Sequence, residues 1–240
     1  FLDSDEAFVS SLSIKRKVLA LEKNKNFKAV LSSGYQNLRD GFLLNNYINE
    51  FGDPFSFFMY RISKGEKYFS KDLHRLRRPF VEMTSMGVMF NREFVKLNFP
   101  EVFKKVFLHT HLFYLLGKRR VHFLKNDPIF HCPANSLVSY LRKINSRIKN
   151  NLFQTQMGFA GFTGREVYQP FWYKIKKFLF LPYIILILPV LFDSFYLVIT
   201  RRNLAYLWHF PLSCYTLSAL IYYYFLKAIG IRVKSKGYGT

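Results

Sequence analysis

Apolar residues are distributed unevenly along the chain, and the densest runs lie toward its C-terminal end. Phe178 to Thr200 reads FLFLPYIILILPVLFDSFYLVIT, long enough to cross a hydrocarbon core of roughly 30 Å at about 1.5 Å per residue. Lys174, Lys176 and Lys177 precede it, and Arg201 and Arg202 follow. Pro182 and Pro189 are tolerated in membrane helices, whereas Asp193 is costly there unless paired or near the interface, so a kinked or tilted span is expected. A second stretch, Leu204 to Ile231, carries Tyr206, Trp208 and Tyr222 to Tyr224 toward its ends, as an aromatic belt does, and the tail adds Arg232, Lys234 and Lys236. Two core helices of a soluble bundle are the bland alternative, disfavoured by the length and the missing polar face. An in-plane hairpin half sunk in the interface is the stronger rival, and the arginines in the turn favour it.

Before residue 176 the pattern becomes that of a globular α/β domain. Phe1-Leu2 reads as the end of a buried strand, Val9 to Lys25 has helical spacing with basic residues on one face, and Lys28 to Ser32 is a candidate strand. Pro54, Gly65, Gly87 and Pro100 punctuate shorter elements, while Val121 to Leu124 and Ile129 to Phe130 are strand-like runs around Asn126-Asp127-Pro128. Ser136 to Phe153 is a basic amphipathic helix, with Leu137, Leu141, Ile144 and Ile148 on one face. Such a helix suits a membrane surface.

Length and charge sharpen this picture. The chain has 240 residues, room for one compact domain and an appendage. It carries 36 Lys and Arg against 15 Asp and Glu, a formal charge of +21, and 19% of it is aromatic. Many of the basic residues flank the apolar runs, where an anionic membrane accounts for them, so nucleic-acid binding is not expected. The positive-inside rule places both basic flanks in the cytoplasm. Cys132 and Cys214 form neither a disulfide framework nor a zinc spacing. The chain opens on Phe1 without a signal-peptide pattern, so it is expected to begin within a longer protein.

The sharpest local feature is the opening Phe1-Leu2-Asp3-Ser4-Asp5-Glu6. A strand ending in Asp-x-Asp sets two carboxylates at the sheet edge where open α/β folds collect ligands. Mg²⁺ or Mn²⁺ takes such oxygens and leaves positions open for phosphate. A solvated turn uses the same residues, and so does a haloacid-type phosphatase, although the latter wants Thr or Val where Ala7 stands. His131-Cys132 lacks a second metal-binding pair and reads as a strand end, and Asp53 before Pro54 reads as a turn former.

Taken with the downstream segments, FLDSDE resembles the metal-binding motif of family 2 glycosyltransferases, which have the GT-A fold. Asn45-Asn46-Tyr47-Ile48 followed by Gly52-Asp53-Pro54-Phe55 resembles a segment of a membrane-associated subgroup. Met86-Gly87-Val88-Met89-Phe90-Asn91-Arg92 resembles the family's glycine-led strand before the acceptor site, and Arg201 to Pro211 is similar to the subgroup's C-terminal hairpin.

The resemblance implies a partial, Rossmann-like GT-A domain over residues 1–135, a basic linker region over 136–176, and a two-helix membrane hairpin over 177–240. It implies a nucleotide-sugar donor, a lipid-linked or saccharide acceptor, and Asp3 and Asp5 at the metal and donor. In inverting members a carboxylate in a Glu-Asp-x-x-Leu-type segment deprotonates the acceptor. The matching stretch here is Leu108-His109-Thr110-His111-Leu112, so His109 takes the acid's place and His111 is the next candidate base. Gln154 and Gln156 lack the Arg-Trp of processive synthases, so a polymerase is not expected. The family's nucleobase-binding strand and loop have no counterpart, which again implies a fragment. A non-catalytic basic membrane protein, binding anionic lipid or a partner, is the competing function.

Overall fold

The structure, a computed structural model, describes residues 6–37, 42–69, 87–100, 120–153 and 170–233. Its elements include β1 (Glu6–Phe8), α1 (Ser13–Lys23), β2 (Ala29–Leu31), β3 (Tyr35–Gln36), α2 (Asn45–Phe51), α3 (Pro54–Tyr60), β4 (Met89–Phe90) and α4 (Arg92–Asn98). They continue with β5 (Val121–Phe123), β6 (Ile129–His131), α5 (Leu137–Phe153), α6 (Phe171–Lys176), α7 (Phe180–Ile185), α8 (Leu188–Arg201) and α9 (His209–Ala228). The class is mixed α/β. Two compact units emerge, Phe1–Arg39 with Ile62–Cys132, and Asp40–Arg61 with Pro133–Thr240.

The first unit holds two three-stranded sheets, ordered β1-β6-β3 and β4-β2-β5. In each the central strand pairs antiparallel on one side and parallel on the other. Ala29, Val30 and Leu31 are fully buried, as a short apolar run at a sheet centre requires. Met89 and Phe90 form β4, and Asn91 then caps α4 by accepting from the Phe94 N–H at 2.9 Å. Helix α1 is shorter than the predicted Val9–Lys25 and its burial is reversed. Ser13 and Lys17 point inward, whereas Leu12, Ile14, Val18 and Leu19 are exposed. The cause is a buried carboxylate, that of Asp127, which the inward face of α1 must satisfy.

The second unit is helical. Asp53 is the N-cap of α3, accepting from the Ser56 N–H at 2.8 Å with Pro54 in the first turn, so the predicted turn former is a helix start. Tyr140, Ile144 and Ile148 of α5 enter one core with Tyr47 and Phe51 of α2 and with Leu212 and Ala219 of α9. The segment 40–61, assigned by sequence to the 1–135 domain, therefore packs among these helices. The kinked or tilted span expected over Phe178–Thr200 is bent sharply: Phe171–Ile185 and Leu188–Arg201 meet at 91°. The break falls at Ile187, whose φ of 57° is a strained position for a β-branched residue. Among the described residues one helical stretch, Leu204–Ala228, is long and apolar enough to cross a membrane.

Candidate functional site

Asp3, Asp5, His109 and His111 all lie outside the described residues. The chain enters β1 at Glu6, directly after the Asp-x-Asp, and β1 is an edge strand of its sheet. Glu6 is buried, and its Oε1 accepts the Tyr35 hydroxyl at 2.5 Å. The Tyr35 ring stacks on His131 at 4.4 Å, and His131 is the register partner of Glu6 on β6. These contacts hold the strand onto which the acidic segment leads. The Asp3 and Asp5 carboxylates are an all-oxygen donor pair, chemically suited to Mg²⁺ or Mn²⁺. Glu6 is turned into the sheet instead. Among the described residues no group of three or more His, Cys, Asp or Glu is arranged to hold a metal.

Gly87, the glycine of the predicted motif, sits against the same strand pair. A Cβ there would lie 2.6 Å from Ile129 Cδ1 on β6 and 2.7 Å from Phe8 Cε1 on β1, and φ is 53°. Gly87→Ala should therefore destabilise the unit by about 1–3 kcal/mol, through overpacking as well as backbone strain. Gly230→Ala, at φ 79° with nothing within 4 Å, is the matched control. Equal losses for the two in chemical denaturation would show that Gly87 is not needed for close packing.

Behind this sheet region lies a buried ion pair. Lys17 Nζ stands 2.5 Å from Asp127 Oδ2, with side chains 1% and 0% exposed. Ser13 and Ser32 donate to the same oxygen at 2.8 and 3.2 Å, while Arg16 approaches Oδ1 at 3.8 Å. Burial lowers the Lys17 pKa, partly offset by the hydrogen bond to Asp127. The cluster ties α1 to the turn before β6 and to the end of β2, so it positions the strands.

In the helical unit, Asp193 finds the partner that an acid in an apolar stretch requires. Arg61 donates to both of its oxygens at 2.5 and 2.6 Å, and the Tyr183 hydroxyl donates to Oδ2 at 2.6 Å. Tyr183 has then used its proton, so at 2.8 Å its oxygen accepts from His209 Nε2. That tautomer leaves His209 Nδ1 to accept the Tyr47 hydroxyl, 2.7 Å away. Burial pushes the Tyr47 hydroxyl well above its ordinary pKa and keeps it a donor. The result is a directed chain, Tyr47 to His209 to Tyr183 to Asp193, closed by Arg61. A second pair joins Arg201 Nε to Glu50 Oε1 at 2.7 Å, and Tyr206 also donates to Glu50.

Sequence reasoning flagged Asp193 as needing a partner but could not name Arg61, which is 132 positions away. Glu6 lies within the acidic motif, and its burial against Tyr35 has no local sequence signal. His131, read as a strand end, does end β6, and its stack on Tyr35 was not foreseen. No protein-family model and no curated protein matches the chain.

Proposed function

We propose that this protein is a membrane-associated family 2 glycosyltransferase with a GT-A-type catalytic region. It moves a sugar from a nucleotide-sugar donor to a lipid-linked or membrane-proximal acceptor. What supports the reading is the acidic Asp-x-Asp pair, an all-oxygen donor set adjoining the amino end of β1, which is an edge strand among the described residues, in a chain that also bears a helix long and apolar enough to cross a membrane. Asp3 and Asp5 would hold Mg²⁺ or Mn²⁺, which offsets charge on the departing nucleoside diphosphate. His109, or else His111, accepts the proton of the acceptor hydroxyl as its oxygen bonds to the anomeric carbon and the bond from that carbon to phosphate breaks. The sugar inverts through an oxocarbenium-like state.

The test is sugar transfer by membranes carrying the protein, with a panel of labelled nucleotide sugars and with or without a chelator. Asp5→Asn retains size and hydrogen bonding but removes a hard anionic ligand, so metal-dependent turnover should fall by about 100-fold or more. Unchanged turnover in Asp5→Asn would refute the metal assignment. The presence of His109 where the family has a carboxylate favours a second reading, a non-catalytic protein that binds anionic lipid. That reading gains if no donor supports transfer while binding to anionic vesicles weakens steeply with salt.

A further inference from the structure

The helical unit joins two properties that a bilayer-crossing hairpin keeps apart. Its outward surface is strongly apolar: Leu188, Ile199 and Phe192 are 76%, 74% and 70% exposed, and residues 185–188 at the 91° break are all exposed. Yet its long helices are flanked along their length by polar ones. Asn145 of α5 meets Tyr215 of α9, the Phe153 and Tyr223 rings touch, and Lys227 Nζ donates to the Leu152 carbonyl at 3.1 Å. Helix α5 thus runs alongside α9 over its C-terminal half, from Asn145 to Phe153. It carries Arg142, Lys143, Arg147 and Lys149. If α9 crossed a bilayer, these four cations, Arg147 together with its partner Asp53 at 3.4 Å, would travel toward the hydrocarbon with it, a concentration of charge that membrane helices rarely accept. Helix α8 is tied in the same way to polar partners outside it, Asp193 to Arg61 and Arg201 to Glu50 of α2, so a span would draw Arg61 and Glu50 along with it.

Length and composition permit a span, but the packing does not. We infer that the unit is monotopic, with α6 to α9 lying in one leaflet of an anionic bilayer and the apolar break at residues 185–188 as its deepest point. An in-plane helix buries only its outward face, which leaves α5 and α2 in the aqueous or headgroup region. Net charge of +21, with Lys174, Lys177 and Arg202 at the ends of the apolar segments, complements anionic headgroups. Trp172 and Trp208, both exposed, fit the headgroup boundary. The turn at residues 201–203 therefore lies on the same side of the membrane as residue 232, contrary to the hairpin topology expected from the basic flanks. This inference rests on the membrane attachment proposed above and not on the transfer chemistry.

The test places single cysteines in a Cys132→Ser, Cys214→Ser background, at exposed Thr200→Cys near the turn and at Arg232→Cys near the tail. The protein is expressed in a bacterial host, and sealed spheroplasts and inverted vesicles are treated with a membrane-impermeant maleimide. Both cysteines should be protected in spheroplasts and both modified in inverted vesicles. Quenching of Trp172 and Trp208 by brominated lipid should be stronger with bromine near the headgroup than near the chain terminus. Modification of the two cysteines from opposite faces overturns the inference and leaves the glycosyltransferase reading intact. Recovery of the protein in the supernatant without detergent overturns the inference together with the membrane attachment on which it rests.

Discussion

Asp127→Ala should lower the stability of the first unit by about 3–5 kcal/mol, the cost of leaving a buried charge without its partner. Both side chains of the Lys17–Asp127 pair are essentially inaccessible, so water cannot replace the lost contact. Ser13 and Ser32 also lose their acceptor. Lys17→Met should cost a similar amount, because it strands the carboxylate. The double variant Lys17→Met, Asp127→Leu should recover most of the loss, since paired replacement by apolar groups is often neutral. Chemical denaturation of the three variants checks this, and additive losses in the double variant would show that the two groups do not act as a pair. The pH dependence has a definite sign. The folded Lys17 pKa lies below its unfolded value of 10.5, so between the two the unfolded state binds more protons and stability rises with pH. Lys17→Met should remove that slope and leave the other lysines' contributions in place.

Arg61→Ala should be the second severe substitution, and it should cost more than Asp193→Leu. Both break the same bidentate pair, but the partners differ in access to water: the Arg61 side chain is 45% exposed and that of Asp193 is 6% exposed. Removing Arg61 leaves a buried carboxylate whose remaining hydrogen-bond donor among the described residues is the Tyr183 hydroxyl, at a cost of about 3–5 kcal/mol. Removing Asp193 frees a guanidinium that rehydrates, so the loss is discounted to about 1–3 kcal/mol, mostly from the unsatisfied Tyr183 hydroxyl. Thermal unfolding in detergent of the two variants gives the comparison. Equal losses would show that Arg61 is not the group that makes Asp193 tolerable.

The elements most legible in the sequence were those with a local signal. Lys28 to Ser32 contains β2 because an apolar run bounded by polar residues has few other uses, and Leu137, Ile144 and Ile148 marked the apolar face of α5 by spacing, although that face enters the helical core and not the membrane surface expected of it. What failed to show was long-range. Helix α1 turns its apolar residues outward for a carboxylate more than a hundred residues away, so periodicity pointed to the wrong face. The break at Ile187 was half visible in Pro182 and Pro189, yet the strained residue is neither proline nor glycine and nothing in its identity announces the bend. The acidic motif was legible as chemistry, while Tyr35 and His131 beside Glu6 depend on strand register, which short strands do not encode locally.

The interleaving of the two units has a consequence for how the protein can be made and cut. Residues 40–61 leave the ribosome well before the helices that cover Tyr47, Phe51 and Phe57, the first of which begins only at Leu137. Throughout that interval α2 and α3 are an apolar liability that a chaperone or the nascent chain itself must shield. No single proteolytic cut can release either unit whole. A shortened protein ending near residue 132 would carry two orphaned helices, so dissection calls for excising residues 40–61 as well as trimming the end.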